Sequence, residues 1–99
     1  MNMQAMLRQA QNMQRDMMKA QEEINNMSFT GENGFVKVTV KGNKTISNVE
    51  IENKDTLDSD DVEMLQDMIL VATNDALKQV DKITEEKLGK YTKGIPGLF

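Results

Sequence analysis

Residues 35–51 read FVKVTVKGNKTISNVEI, and the fold follows from this stretch. Val36, Val38 and Val40 alternate with Lys37, Thr39 and Lys41, the two-residue period of a strand with one buried face. Ser47, Val49 and Ile51 alternate in the same way with Asn48, Glu50 and Glu52. Gly42-Asn43 between the two runs supplies residues that tolerate a positive φ. Upstream, Gly31-Glu32-Asn33-Gly34 gives a second turn signal after a short segment containing Phe29. Two successive turns predict a three-stranded antiparallel meander.

On either side of this meander the period changes. Met3, Met6, Ala10, Met13, Met17, Ala20, Ile24 and Met27 are spaced alternately by three and four, an unbroken heptad seam. Gln, Arg and Glu fill the outer positions, and Leu7 and Met18 widen the apolar face, so the N-terminal segment is predicted to be one long helix. Downstream, Asn53 to Ser59 is a polar connection. Asp60, followed three residues later by Glu63, then has the form of a capping box, with Asp58 and Asp61 adding charge that favours the positive end of a helix dipole. Val62, Leu65, Ile69, Ala72, Ala76, Val80 and Ile83 carry a second seam, edged by Met64, Met68 and Val71. Its helix is predicted to end near Leu88 with Gly89 as cap. The reading is an α+β fold with element order α-β-β-β-α, a single domain over residues 1–89 and a flexible tail over 90–99.

The seams are longer than a small sheet can cover. Each helix extends about 35–45 Å at 1.5 Å per residue, whereas strands of five to seven residues reach about half as far. Nine Met, three Phe and no Trp also make a thin core for 99 residues. A homodimer is therefore expected, with the helices forming the contact through Met6, Met13, Met17, Leu65, Met68, Ile69 and Ala72.

Composition argues against catalysis. There is no His and no Cys, so the usual neutral-pH base, a thiolate nucleophile and the commonest transition-metal ligands are missing. The acidic run Asp55 to Asp67 lacks the Gly-centred spacing of a calcium loop, and Asp75 has no nucleophile or phosphate loop near it in sequence. No enzyme activity, cofactor, metal or small-molecule substrate is expected. Without a continuous apolar run, neither a signal peptide nor a membrane span is expected, and the protein should stay in the cytoplasm. The net charge of −4 is unevenly distributed. Residues 55–76 carry seven acids and no base, whereas residues 77–99 carry five bases and three acids.

Met6-Leu7-Arg8-Gln9-Ala10-Gln11-Asn12-Met13-Gln14, Gln21-Glu22-Glu23, Val36-Lys37-Val38-Thr39-Val40, Asp61-Val62-Glu63-Met64-Leu65-Gln66-Asp67, Asn74-Asp75-Ala76 and Pro96-Gly97-Leu98-Phe99 together resemble the YbaB/EbfC nucleoid-associated proteins, from end to end and in the same order. The resemblance implies an intertwined homodimer with projecting helices. It also implies binding of duplex DNA, reshaping of the nucleoid and a place in gene regulation; Gln9, Gln11, Asn12 and Gln14 are the residues that could read bases, but Gln is also an ordinary helix-surface residue, and little sequence preference is expected. On that reading Arg8, Arg15, Lys19, Lys78, Lys82, Lys87 and Lys90 are the candidate phosphate partners, and the acidic start of the second helix faces away from DNA. The rival reading is a protein-interaction module serving a recombination or replication factor, through the exposed Met edge and the tail from Ile95 to Phe99.

Overall fold

A computed structural model of the chain describes residues 2–92. The elements run α1 (Met3–Asn25), β1 (Ser28–Asn33), β2 (Val36–Lys41), β3 (Ile46–Ile51), two 3₁₀ turns (Lys54–Thr56 and Ser59–Asp61) and α2 (Val62–Thr92). The α-β-β-β-α order and the antiparallel meander, in the order β1-β2-β3, are as the periodicities require. Asn2 caps α1, its Oδ1 accepting from the Ala5 amide at 2.7 Å. At the other end the Asn26 side-chain amide donates to the Glu22 carbonyl at 3.0 Å.

The core lies between α2 and the first two strands. Val36, Val38 and Val40 are fully buried against Ala72, Ala76 and Val80. The small residues on the helix have a counterpart in the sheet. A β-carbon on Gly31 would overlap the Ala72 carbonyl and come within 2.7 Å of the Ala76 amide nitrogen, so backbone meets backbone there. Gly31 therefore belongs to β1, paired with Val38, and not to the turn that its composition suggests. The turn is Gly34-Phe35 alone, with Gly34 at φ 58°, the place where two-residue hairpins favour glycine.

Three further expectations shift. A bulge between Thr39 and Val40 sets Ile46 opposite Val40, so Ile46, not Ser47, joins Val49 and Ile51 on the inner face. Ser47 instead donates its hydroxyl to the Thr39 carbonyl at 3.2 Å. The capping box sits two residues upstream of Asp60 and Glu63. Asp58 accepts from the Asp60 amide at 2.8 Å and Asp61 accepts from the Asp58 amide at 3.1 Å, because a 3₁₀ turn leads into α2. Gly89 does not cap α2, which continues through it to Thr92. Gly89 lines the groove between the two helices beside Met17 and Met18, and α2 runs on through it despite a propensity cost of about 1 kcal/mol. The remainder of the expected tail, residues 93–99, lies outside the described residues.

The close approach at Gly31 yields a direct test. Gly31→Ala should destabilise the fold by about 3 kcal/mol in chemical denaturation, since neither α2 backbone atom it meets can move aside without moving the helix. Gly34→Ala meets only the mobile end of Met68 and should cost less, about 1 to 2 kcal/mol from its left-handed backbone. Equal destabilisation by the two variants would show that helix and strand do not meet tightly.

Candidate nucleic-acid interface

Beyond the sheet, α1 and the second half of α2 pack side by side into an arm. The helices run antiparallel: Ile24 is buried near the sheet, Met17 and Gln21 lie beside Thr84 and Leu88, and Asp16 and Lys19 lie beside Lys90 and Tyr91. The protein measures 70 × 23 × 14 Å as a result. Along the α1 seam exposure rises steadily, from 0% at Ile24 through 38% at Met13 and 55% at Met6 to 85% at Met3.

The seven candidate phosphate partners all fall on this arm or at its root, in three groups. Arg8, Arg15 and Lys19 share the back of α1, within about 40° of one another and half a turn round from Ile24 at 100° per residue. Gln4 and Gln11 interleave with them. Lys87 and Lys90 lie with Lys19 around a cleft between the helices, but Asp16, Glu23 and Glu86 line the same cleft and balance their charge. The Lys90 ammonium also sits 5.1 Å from the centre of the Tyr91 ring. Lys78 stands apart on the flank of α2 beside β1, in a depression shared with Glu32 and Asp75, and Lys82 follows one turn later. Asn74 and Asp75 are exposed on this same flank.

Two ion pairs form among the described residues, Lys37–Glu52 at 3.2 Å and Lys44–Asp81 at 3.0 Å, and neither uses any of the seven. Lys37 on the outer sheet face is held above its ordinary pKa by the hydrogen bond and charge of Glu52, with Glu32 and Glu50 adding to the effect. Its charge is thus matched within the sheet, and the sheet's outer face is a poor phosphate surface. Seven acids crowd residues 55–76, and Asp55, Asp58, Asp60 and Asp61 stand on the 3₁₀ turns or their cap, at the opposite end of α2 from Lys87 and Lys90.

An apolar shoulder flanks α2 on the β3 side. Lys44 reaches Asp81 while Thr30 accepts from Gln79 at 2.8 Å, so β3 lies on the Asp81 flank of the helix and β1 on the Gln79 flank. Leu70 and Leu77 fall within about 40° of Asp81 around the helix axis. Leu70 is 60% exposed, and Ile46 and Val49 on β3 are about half exposed, because α2 covers β1 and β2 but not β3. Of the residues expected at a subunit contact, Leu65, Met68 and Ile69 are half-buried against the core. Met6 and Met13 are exposed on α1. Ala72 is wholly buried within its own subunit, and Met17 borders the groove beside Leu88 of the same chain. Sequence reading missed Leu70 and Ile46, although Leu70, Leu77 and Leu88 recur on one flank at helical spacing.

Among the described residues no side chains of three or more His, Cys, Asp or Glu are grouped to hold a metal ion, and no polar or charged side chain is buried. No helix among them is long and apolar enough to cross a membrane.

Comparison with known proteins matches residues 1–95 to the YbaB/EbfC DNA-binding family. A nucleoid-associated protein of Lactococcus lactis subsp. cremoris (strain MG1363) is 50% identical over 98 residues, covering 97% of this chain and 98% of that one. A nucleoid-associated protein of Enterococcus faecalis (strain V583) is 49% identical over 99 residues, covering 98% and 94%. The crystal structure of an uncharacterized Helicobacter pylori protein shares the fold with a TM-score of 0.73 at 19% identity, over 87% of this chain and 91% of that one. With a family match over nearly its whole length and half its residues identical to nucleoid-associated proteins, the chain belongs to the YbaB/EbfC DNA-binding family.

Proposed function

We propose that this chain acts as a non-catalytic homodimer that binds duplex DNA through phosphate contacts made by its arms, with little sequence preference, in the nucleoid of the bacterial cytoplasm. Changes in DNA conformation, nucleoid organisation and gene regulation would follow from that binding. The observation that carries the reading is the separation of charge along the molecule. Seven acids and no base lie over residues 55–76, where α2 begins, while Arg8 and Arg15 stand on the back of α1, outside both ion pairs and toward the other end of the long axis, with Lys19 at the border between that face and the acid-lined cleft. A net charge of −4 then matters less than the local field, which exposed phosphates meet first at the arm. Side chains of Arg and Lys on a rigid helix neutralise phosphates without reading bases, and the described residues include no buried polar side chain that could orient a small substrate.

The dimer contact in this reading is the shoulder. Ile46, Val49 and Leu70 form an exposed apolar strip beside half-buried Ile69 and Leu77, and a two-fold axis through it would cover β3 of each subunit with the other. Five large side chains are fully buried among the described residues, a small core that the added burial would reinforce.

Two experiments test these statements. Anisotropy of a labelled mixed-sequence duplex should report saturable binding whose log affinity falls linearly with log salt. Arg8→Ala, Arg15→Ala and Lys19→Ala together should weaken it at least tenfold and lower the salt slope by about 0.9 for each phosphate no longer neutralised. Lys44→Ala, whose ammonium is paired with Asp81, should leave binding unchanged. No saturable binding at low salt would overturn the reading in favour of the protein-interaction module. Separately, light scattering behind a sizing column should give the mass of two chains, falling to one for Val49→Asp with Leu70→Asp. A double variant that keeps the dimer mass would move the subunit interface elsewhere.

A further inference from the structure

β3 has the least protected edge of the sheet. Among the described residues it has β2 on one side and no strand on the other, and every residue but half-buried Ile51 is exposed. The opposite edge is guarded: α2 lies against β1, and Gln79 donates to the Thr30 carbonyl at 2.8 Å. Edge strands that stay open commonly carry Lys or Pro. Ile46 to Ile51 has neither, and its bulge lies at the Ser47 end.

The register identifies the free groups. Glu52 donates its amide to the Phe35 carbonyl at 2.8 Å, so by the alternation of an antiparallel pair Glu52, Glu50 and Asn48 turn their main chain to β2. Val49 and Ile51 turn theirs to the open edge. The apolar strip on α2 faces the same way. Leu70 and Leu77 lie about 110° round the helix from Ala72, Ala76 and Val80, on the flank that overlooks β3, so they face sideways along the sheet. A two-fold axis perpendicular to the sheet therefore brings both features of one subunit against the same features of its copy.

Hydrogen bonding across that axis requires outward-turned residues to oppose one another, which places the axis on a residue. An axis on Glu50 sets two carboxylates face to face, a destabilising pair. An axis on Asn48 sets Glu50 against Ile46, which the bulge has turned to the inner face. An axis on Val49 pairs the Asn48 amide of each chain with the Glu50 carboxylate of the other and stacks the two Val49 side chains beside the α2 strips. We infer, resting on the dimer contact proposed above, that β3 pairs antiparallel with β3 of a second copy about an axis at Val49, so that two three-stranded sheets become one of six strands.

Amide hydrogen exchange on the unmodified chain reads the pairing. Val49 should exchange at least tenfold more slowly than Glu32, whose amide turns outward from β1 by the same alternation. Equal rates in a protein with the mass of two chains would leave the dimer standing and overturn the shared sheet, whereas the mass of one chain would remove the dimer and the shared sheet with it. Thiols read the register, since the chain has no native Cys. Opposed residues of a non-hydrogen-bonded pair have Cα atoms about 4.5 Å apart, within reach of a disulfide. Asn48→Cys with Glu50→Cys should give a covalent dimer under mild oxidation at least tenfold faster than either substitution alone, because each residue meets its own copy only diagonally, beyond about 7 Å. Cross-linking by a single variant as fast as by the pair would overturn the register.

Discussion

The molecule is governed by a mismatch of lengths. Thirty-one residues of α2 make a rod of about 46 Å, while six-residue strands give a sheet about 20 Å across in the strand direction. The sheet holds the helix over one stretch, where Gly31, Ala72 and Ala76 let the two backbones touch. The rest of α2 has to leave the sheet, and α1 is the element that follows it out. One end is therefore a packed αβ layer and the other a two-helix arm, with the change-over near Ile24 and Val80.

That geometry gives the unusual charge balance a use. In an acidic chain, a compact globule would surround any basic patch with carboxylates inside a Debye length of about 8 to 10 Å. Here the long axis of 70 Å keeps the acidic 3₁₀ turns several Debye lengths from the far end of α1. The cleft shared by Lys19, Lys87 and Lys90 with three acids shows what happens where separation fails: the charges cancel locally, and Arg8 and Arg15 on the back of α1 are left as the cations farthest from it.

Much of the fold was legible because it is written in periods. The seams specified both helices and the alternations β2 and most of β3, whereas β1 was inferred from turn signals alone and takes in Gly31 to Asn33, which read as a turn; the family resemblance rested on residues spread over the whole chain. What sequence left out were effects of tertiary packing. Gly31 has the composition of a turn but serves a helix approach, and Gly89 has the composition of a cap but lies inside α2, at the groove between the helices. The bulge that exchanges Ser47 for Ile46 on the inner face depends on pairing with β2, which no local pattern announces. Ala72 reads as interface only when the seam is taken as one surface; in three dimensions its first half is covered by strands. Basic residues are easy to count, but their grouping needed the relative rotation of two helices.

The joint between arm and sheet has a mechanical meaning. Gly42 donates its amide to the Met27 carbonyl at 3.0 Å, and a β-carbon there would strike the Ile24 carbonyl, so the end of α1 is seated on the β2–β3 turn largely main chain to main chain, with the Ile24 side chain beside it. Such a seat has little to compress, and α1 beyond it is a lever about 34 Å long. A tilt of about 10° at this fulcrum would sweep the tip through about 6 Å, nearly two base-pair steps of a duplex. On the proposed reading, the stiffness of a seat made by one glycine would set how finely the distant charges could be indexed against a phosphate ladder.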